Sequence, residues 1–217
     1  MRNTRLASVI GVLTAALISV AACGSGDQAA SSTTSSAAAD TTTTTTSSAA
    51  MSDGVTKTGD VFGAGCASLP KDTEGSLDGM VDDPVATAAS NNPLLKTLVA
   101  AVKQAGLVDT LNKADAKYTV FAPYDPAFEA LGQDTVNAVL ADKAKLTSIL
   151  TYHVVPQRMD KDGILSSATL PTVQGGTLKV EGSGDNVTVN GAKVLCGNIP
   201  TANATVFVID KVLMPAS

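Results

Sequence analysis

The sequence predicts an α+β domain, a helical first half packed on an antiparallel β-sandwich or wedge. Two observations predict it: apolar residues recur at helical spacing from Leu94 to Leu150, and from Thr177 the period changes to strict alternation. A third bounds the domain. The composition before residue 60 cannot build a core, so residues 60–217 carry the fold, near the commonest domain size.

The chain begins with Arg2 and Arg5 ahead of an uncharged run of 17 residues, Leu6 to Ala22, rich in Ala, Val, Leu and Ile. Residues 1–22 therefore read as a secretory signal, since the run sits at the bottom of the length needed to span a bilayer. Val20-Ala21-Ala22-Cys23-Gly24 resembles a lipobox, in which Cys23 would be diacylated and become the first residue after cleavage. Residues 23–59 collapse to Ala, Ser, Thr, Gly and Asp, including six consecutive threonines from Thr41 to Thr46. Such a segment buries too little apolar surface to offset its ordering entropy and is expected to remain a disordered tether. Its reach, for about 36 flexible residues, is roughly 30–36 Å. Its hydroxyls are candidate O-glycosylation sites, although a plain solvated spacer explains the run equally well.

Asn91-Asn92-Pro93 then starts a helix with an Asn cap and Pro in the first turn, followed by Leu94, Leu95, Leu98, Val99 and Val102 and ended by Gly106. Leu107 to Leu111 adds a short turn. Residues 133–142 and 143–150 read as two more helices, with Val136, Val139 and Leu140 inward in one and Leu146, Ile149 and Leu150 in the other. In the second half, 177–181 and 186–189 alternate as half-buried strands around a turn at 182–185, and Asn190-Gly191 marks a primed hairpin turn. Val206 to Ile209 and Val212 to Met214 finish as apolar strands.

The search for chemistry is largely a series of exclusions. Losing residues 1–22 leaves 13 basic against 20 acidic residues, a net charge near −7, with no basic stripe to meet phosphates. With Cys23 converted to a thioether, Cys66 and Cys196 remain for one disulfide in an exported protein. Two distant thiols and the single histidine, His153, lack the ligand spacing of a zinc site. Asp160-Lys161-Asp162-Gly163 resembles the start of a calcium loop, but its Gly comes two places early and Pro171 stands where the bidentate Glu belongs. Gly182-Ser183-Gly184 lies in a polar turn and lacks the five-residue nucleophile elbow. His153, set in the apolar stretch Ile149 to Val155, reads as a buried neutral imidazole that donates one ring N–H and pins two elements together.

Three stretches together resemble the fasciclin domain: Tyr118 to Phe128 (YTVFAPYDPAF), Leu150 to Val155 (LTYHVV) and Asn203 to Pro215 (NATVFVIDKVLMP). They match two signature boxes and a central Tyr-His motif, in order and spacing. With Cys66, Cys196 and the lipobox, the chain looks closer still to actinobacterial secreted or lipid-anchored fasciclin antigens. In that setting Phe121 and Pro123 form and end a core strand. Asp125 caps the short helix that follows, Phe128 helps to bury it, and Asp210 is held by backbone N–H groups.

The resemblance implies adhesion or partner binding without turnover. In animal relatives contact has been attributed to the Tyr-His region and to an Asp-Ile pair. Those positions are Tyr152, His153, Asn198 and Ile199 here, with Asn in place of the acid. The expectation is thus a monomeric extracytoplasmic protein, lipid-anchored to the cell membrane through Cys23 and partly released to the wall or medium. Its partner would be an unidentified surface or matrix protein or glycan, with no nucleic acid, cofactor or metal. The alternative is a small-molecule carrier or enzyme with a pocket near His153.

Overall fold

The computed structural model describes residues 54–215; the leader, Cys23 and most of the tether lie outside that range. Two 3-10 turns, Thr58–Asp60 and Ala64–Ser68, open it. Four helices follow: α1 (Leu77–Met80), α2 (Val85–Asn91), α3 (Lys96–Ala105) and α4 (Val108–Leu111). Strand β1 (Tyr118–Pro123) leads to α5 (Asp125–Leu131), α6 (Gln133–Ala141) and α7 (Lys143–Tyr152). The chain continues through β2 (Val154–Val155), α8 (Lys161–Ser166), β3 (Thr169–Pro171), β4 (Thr177–Ser183), β5 (Asn186–Val189), β6 (Ala192–Pro200) and β7 (Ala204–Ile209).

Among the described residues the strands form one sheet in the order β2-β1-β7-β6-β5-β4-β3. The α+β class holds, but the sheet is mixed where an antiparallel one was expected. β1 runs parallel to β7, with Tyr118 opposite Ala204 and Pro123 opposite Ile209, while the remaining neighbours are antiparallel. The physical reason is that both runs are apolar on each side apart from Thr119 and Thr205, whose hydroxyls are bonded, and so need cover on two faces, which the middle of a sheet provides. On one face Val120, Ala122, Val206 and Val208 meet Leu98, Val102, Leu146 and Leu150 of the helices. On the other, Phe121, Phe207 and Ile209 meet Phe62, Ile164, Leu178, Val187 and Val189. There the Phe121 and Phe207 rings lie 5.6 Å apart, and Phe62 meets Phe207 edge-on at 6.2 Å. Gly197 passes directly under the Phe62 ring, where a side chain would collide.

The start of α3 departs from the expected local cap. The helix begins at Lys96, not at Pro93, and Asn92 Oδ1 accepts instead from Leu94 N at 3.0 Å within the preceding turn. The N-terminal amide of Thr97 donates to Asp125 Oδ1 at 2.9 Å. Asp125 therefore caps α3 and not its own helix, whose N-cap position is Tyr124 with no side-chain bond. Its backbone N–H, donating to Leu94 O at 2.9 Å, draws it toward the older helix. Gly106, at φ 73°, closes α3 as predicted. Leu146, Ile149 and Leu150 of α7 are buried, whereas Val136, Val139 and Leu140 of α6 and Phe128 and Leu131 of α5 are only half-buried.

In the strand half, β4 and β5 meet in a turn of two residues, Gly184-Asp185, tighter than the four expected, with Ser183 opposite Asn186. Asn190 and Gly191 adopt φ 47° and 75°, the primed turn their identities predict. Val212 to Met214 is not a strand, because Leu213 N–H bonds to a side chain instead of a ladder. Cys66 and Cys196 form a disulfide across a sequence separation of 130, tying the second 3-10 turn to β6. In the chain-entropy account a loop of that size removes up to about 5 kcal/mol of denatured-state freedom. Residues 54–59, assigned to the tether by composition, lie against the folded unit: Thr205 Oγ1 donates to Gly54 O at 2.7 Å, and Thr56 is buried. Packing thus begins before the expected boundary at residue 60.

Candidate functional site

α7 delivers the Tyr-His pair. Three of its apolar residues, Leu146, Ile149 and Leu150, are buried, which fixes the helix, and His153 ends it as the C-cap at φ −81°, ψ −4°. His153 sits at the helix end rather than within a strand. It is 3% exposed. Nδ1 lies 2.8 Å from Ile149 O, one turn back, and Nε2 accepts from Leu213 N at 2.9 Å. A backbone N–H can only donate, so Nε2 must carry the lone pair and Nδ1 the proton. The pair of backbone partners selects one neutral tautomer. Burial pushes the imidazole pKa down to about 4, against a smaller upward pull from the Ile149 carbonyl. A protonated Nε2 would oppose the Leu213 N–H, so no nitrogen is left over for proton transfer.

Tyr152 is fixed as firmly. Its hydroxyl donates to Thr177 O at 2.9 Å and accepts from Asn190 Nδ2 at 2.8 Å, tying α7 to the start of β4 and to the primed turn. Gly176 packs against the ring where a Cβ would intrude. Asn198 occupies a register shift in β6 at φ 59°, a conformation asparagine tolerates better than most residues. Its Oδ1 accepts from Lys161 N at 2.7 Å, and its Nδ2 donates to Asp60 O at 3.1 Å. Ile199 faces the helix-side core.

All four candidate partner-binding residues, Tyr152, His153, Asn198 and Ile199, are therefore buried. The buried, bonded imidazole expected of His153 is what the structure has, and as contact candidates all four offer little surface, their polar side-chain atoms being bonded within the fold. Asp210 is held by backbone as expected, with Oδ1 accepting from Lys193 N at 2.7 Å. Asp160, first of the calcium-like run, accepts from Gly163 N at 2.8 Å and caps α8. Among the described residues no three of His, Cys, Asp and Glu gather as metal ligands.

Two apolar voids flank His153, where the alternative reading of the sequence placed a pocket. The larger, about 80 Å³, lies between α2, α3 and α4 and the helix-side face of the sheet. Small side chains make room for it: Ala86, Ala88, Ala89 and Ala122 line the wall. The polar groups buried in that wall are paired. Thr151 Oγ1 donates to Thr147 O, Thr201 Oγ1 donates to Ala204 O, and Asn92 and His153 are bonded as described. The smaller, about 30 Å³, lies under α5 and α6, where Phe128, Leu131, Val139, Leu140 and Met214 line a groove. Met214 is 49% exposed.

Comparison with known proteins follows this geometry. Residues 93–215 match the model of the Fasciclin domain. The chain is 46% identical over 165 residues to immunogenic protein MPB70 of Mycobacterium bovis, covering 72% of this chain and 83% of that protein. It is 45% identical over 179 residues to cell surface glycolipoprotein MPB83 of Mycobacterium bovis, covering 76% of each. The fold is similar to a FAS1 domain pair from the insect cell adhesion molecule fasciclin I, with a TM-score of 0.54 at 19% identity. That likeness covers 63% of this chain and 52% of the other, and it speaks for the fold alone.

Proposed function

The chain belongs to the fasciclin family, and from that membership we propose that it is a bacterial cell-surface module that binds a partner without chemical turnover. The observation that carries this reading is how the only histidine is used: both ring nitrogens of His153 are tied to backbone, beside thiols consumed in a disulfide. What remains reactive in such a molecule is its outer face. The names of the relatives, an immunogenic protein and a cell surface glycolipoprotein, support an envelope location. The lipobox-like Val20 to Gly24 supports anchoring by an acylated Cys23, with the Ser/Thr-rich residues 23–53 as the stalk and a candidate for O-glycosylation. The partner is a surface or matrix protein or glycan, met by a monomer.

Two comparisons test the proposal. Membrane fractions of cells expressing the wild type and Cys23→Ala are compared by intact mass; unchanged mass and unchanged retention would sink the anchor. Binding of the chain to immobilised envelope extract and matrix proteins is then titrated. A saturable partner whose capture is weakened by Leu140→Glu or Met214→Glu supports a surface role, and a chain that captures nothing saturably contradicts it. The rival reading, a small-molecule carrier with a pocket near His153, has one observation in its favour, the void beside that residue.

A further inference from the structure

We propose that the cavity between α2, α3, α4 and the sheet takes up the hydrocarbon end of an unbranched alkyl chain, such as a fatty acid's, leaving the head group at the surface. The chemistry of the wall sets the ligand class. Thr151, Thr201, Asn92 and His153 each have a partner within the fold, and no buried side-chain nitrogen or oxygen of the wall is left unpaired to attract a polar ligand. Water is equally unsuited, since a buried water needs two to four polar partners, and apolar cavities stay dry.

The shape sets the kind of hydrocarbon. The wall is built from Val154 on β2, Val120 on β1, Val206 on β7 and Ile199 on β6, four neighbours in the sheet. At about 4.8 Å between strands, that wall extends across roughly 14 Å. The room beside that wall is about 80 Å³. An engineered core cavity that admits benzene is larger, about 150 Å³. The room therefore takes the last few carbons of a chain, whose remainder can lie outside, where a whole ring does not fit.

The third observation concerns entry. The lining reaches the surface: it includes exposed Ser90 and Thr110 and also Val173, a valine 46% exposed. Large apolar residues that exposed are few among the described residues, Val55 and Met214 being the others. An apolar lip at the end of an apolar void gives a chain continuous cover from surface to interior. A charged head group outside keeps its water and costs nothing to desolvate.

The test is titration of the whole chain with decanoate, followed by methyl NMR and calorimetry. The expected result is saturable binding, with shifts concentrated at Leu98, Val102, Val206 and Val208. Cyclohexanecarboxylate should bind about tenfold more weakly than heptanoate, the open-chain acid with the same number of carbons, and decanoate about tenfold more weakly to Ala88→Leu than to the wild type, since that substitution displaces roughly two methylenes' worth of contact. Should Ala88→Leu fail to fold, the wild-type methyl map and the ring comparison decide the matter. The proposal is overturned by decanoate that does not saturate, by shifts scattered over the surface, by equal affinity for the ring acid and heptanoate, or by a folded Ala88→Leu that binds decanoate as well as the wild type.

Discussion

The two faces of β1 and β7 share one backbone and are packed to different ends. On the strand side, Phe62, Phe121 and Phe207 fill the space with ring contacts of 5.6 and 6.2 Å. On the helix side the same strands present Val120, Ala122, Val206 and Val208 to helices that offer Ala88 and Ala101, and a cavity of about 80 Å³ remains. One face is a jigsaw and the other keeps room. The difference teaches that stability and capacity for a ligand have been separated in this domain by side-chain size alone, with His153 standing at the end of the helix that covers the looser face.

The comparison breaks first if the tight face turns out to be soft. Phe207→Ala removes a fully buried ring that touches both other phenylalanines and is expected to lower stability by about 3–5 kcal/mol in denaturant unfolding. A loss near 1 kcal/mol would mean the strand side is no better filled than the other.

Next comes the hinge between the faces. His153→Gln leaves Leu213 N–H without its imidazole acceptor and is expected to cost about 1–3 kcal/mol. Acid should do similar damage to the wild type. The folded pKa, about 4, lies below the ordinary histidine value of 6.5, so the unfolded chain takes up the proton first. Stability from this residue is complete above pH 6.5 and is lost as pH falls toward 4, up to about 3 kcal/mol in all. Thermal melts of wild type and His153→Gln across that window should converge as the pH drops.

Asp125→Ala sharpens the account of the helix layer. Thr97 N–H loses its distant carboxylate, for an expected cost of about 1 kcal/mol in the same assay. Smallest and opposite in sign is Ala122→Val, which adds a β-branched side chain where the strand faces the void. It is expected to leave stability level or raise it by less than about 1 kcal/mol, as cavity filling commonly does. A clear destabilisation would show the looser face to be already full.

Much of this architecture was legible in the chain because it is encoded locally. Gly106 ends α3, Asn190-Gly191 turns a hairpin, and the apolar positions of α7 point inward, each from residues within a few positions of one another. The buried, hydrogen-bonded His153 was also legible, since a lone imidazole among Ile149, Leu150, Val154 and Val155 has few other uses. What was not legible depends on residues far apart. Nothing near Tyr118 announces a parallel partner at Ala204, and nothing near Asp125 announces that it caps a helix starting at Lys96. Val212 to Met214 reads as a strand until His153 takes the Leu213 amide. Asn198 and Ile199 were contact candidates from the position of a motif, but both are buried at the register shift in β6. The cavity belongs to the same class, because it is a difference of volumes between packed elements and no residue pattern encodes it.

The Tyr-His element latches the fold, with the Tyr152 hydroxyl and both His153 ring nitrogens bonded internally. A single histidine makes the decisive measurement unambiguous: the ring-nitrogen shifts of His153, followed by NMR from pH 8 to the acid limit of folding. The account predicts a neutral ring with the proton on Nδ1 and no titration until well below 6.5, near 4. A ring that titrates at the ordinary histidine value, or that carries its proton on Nε2, would contradict it.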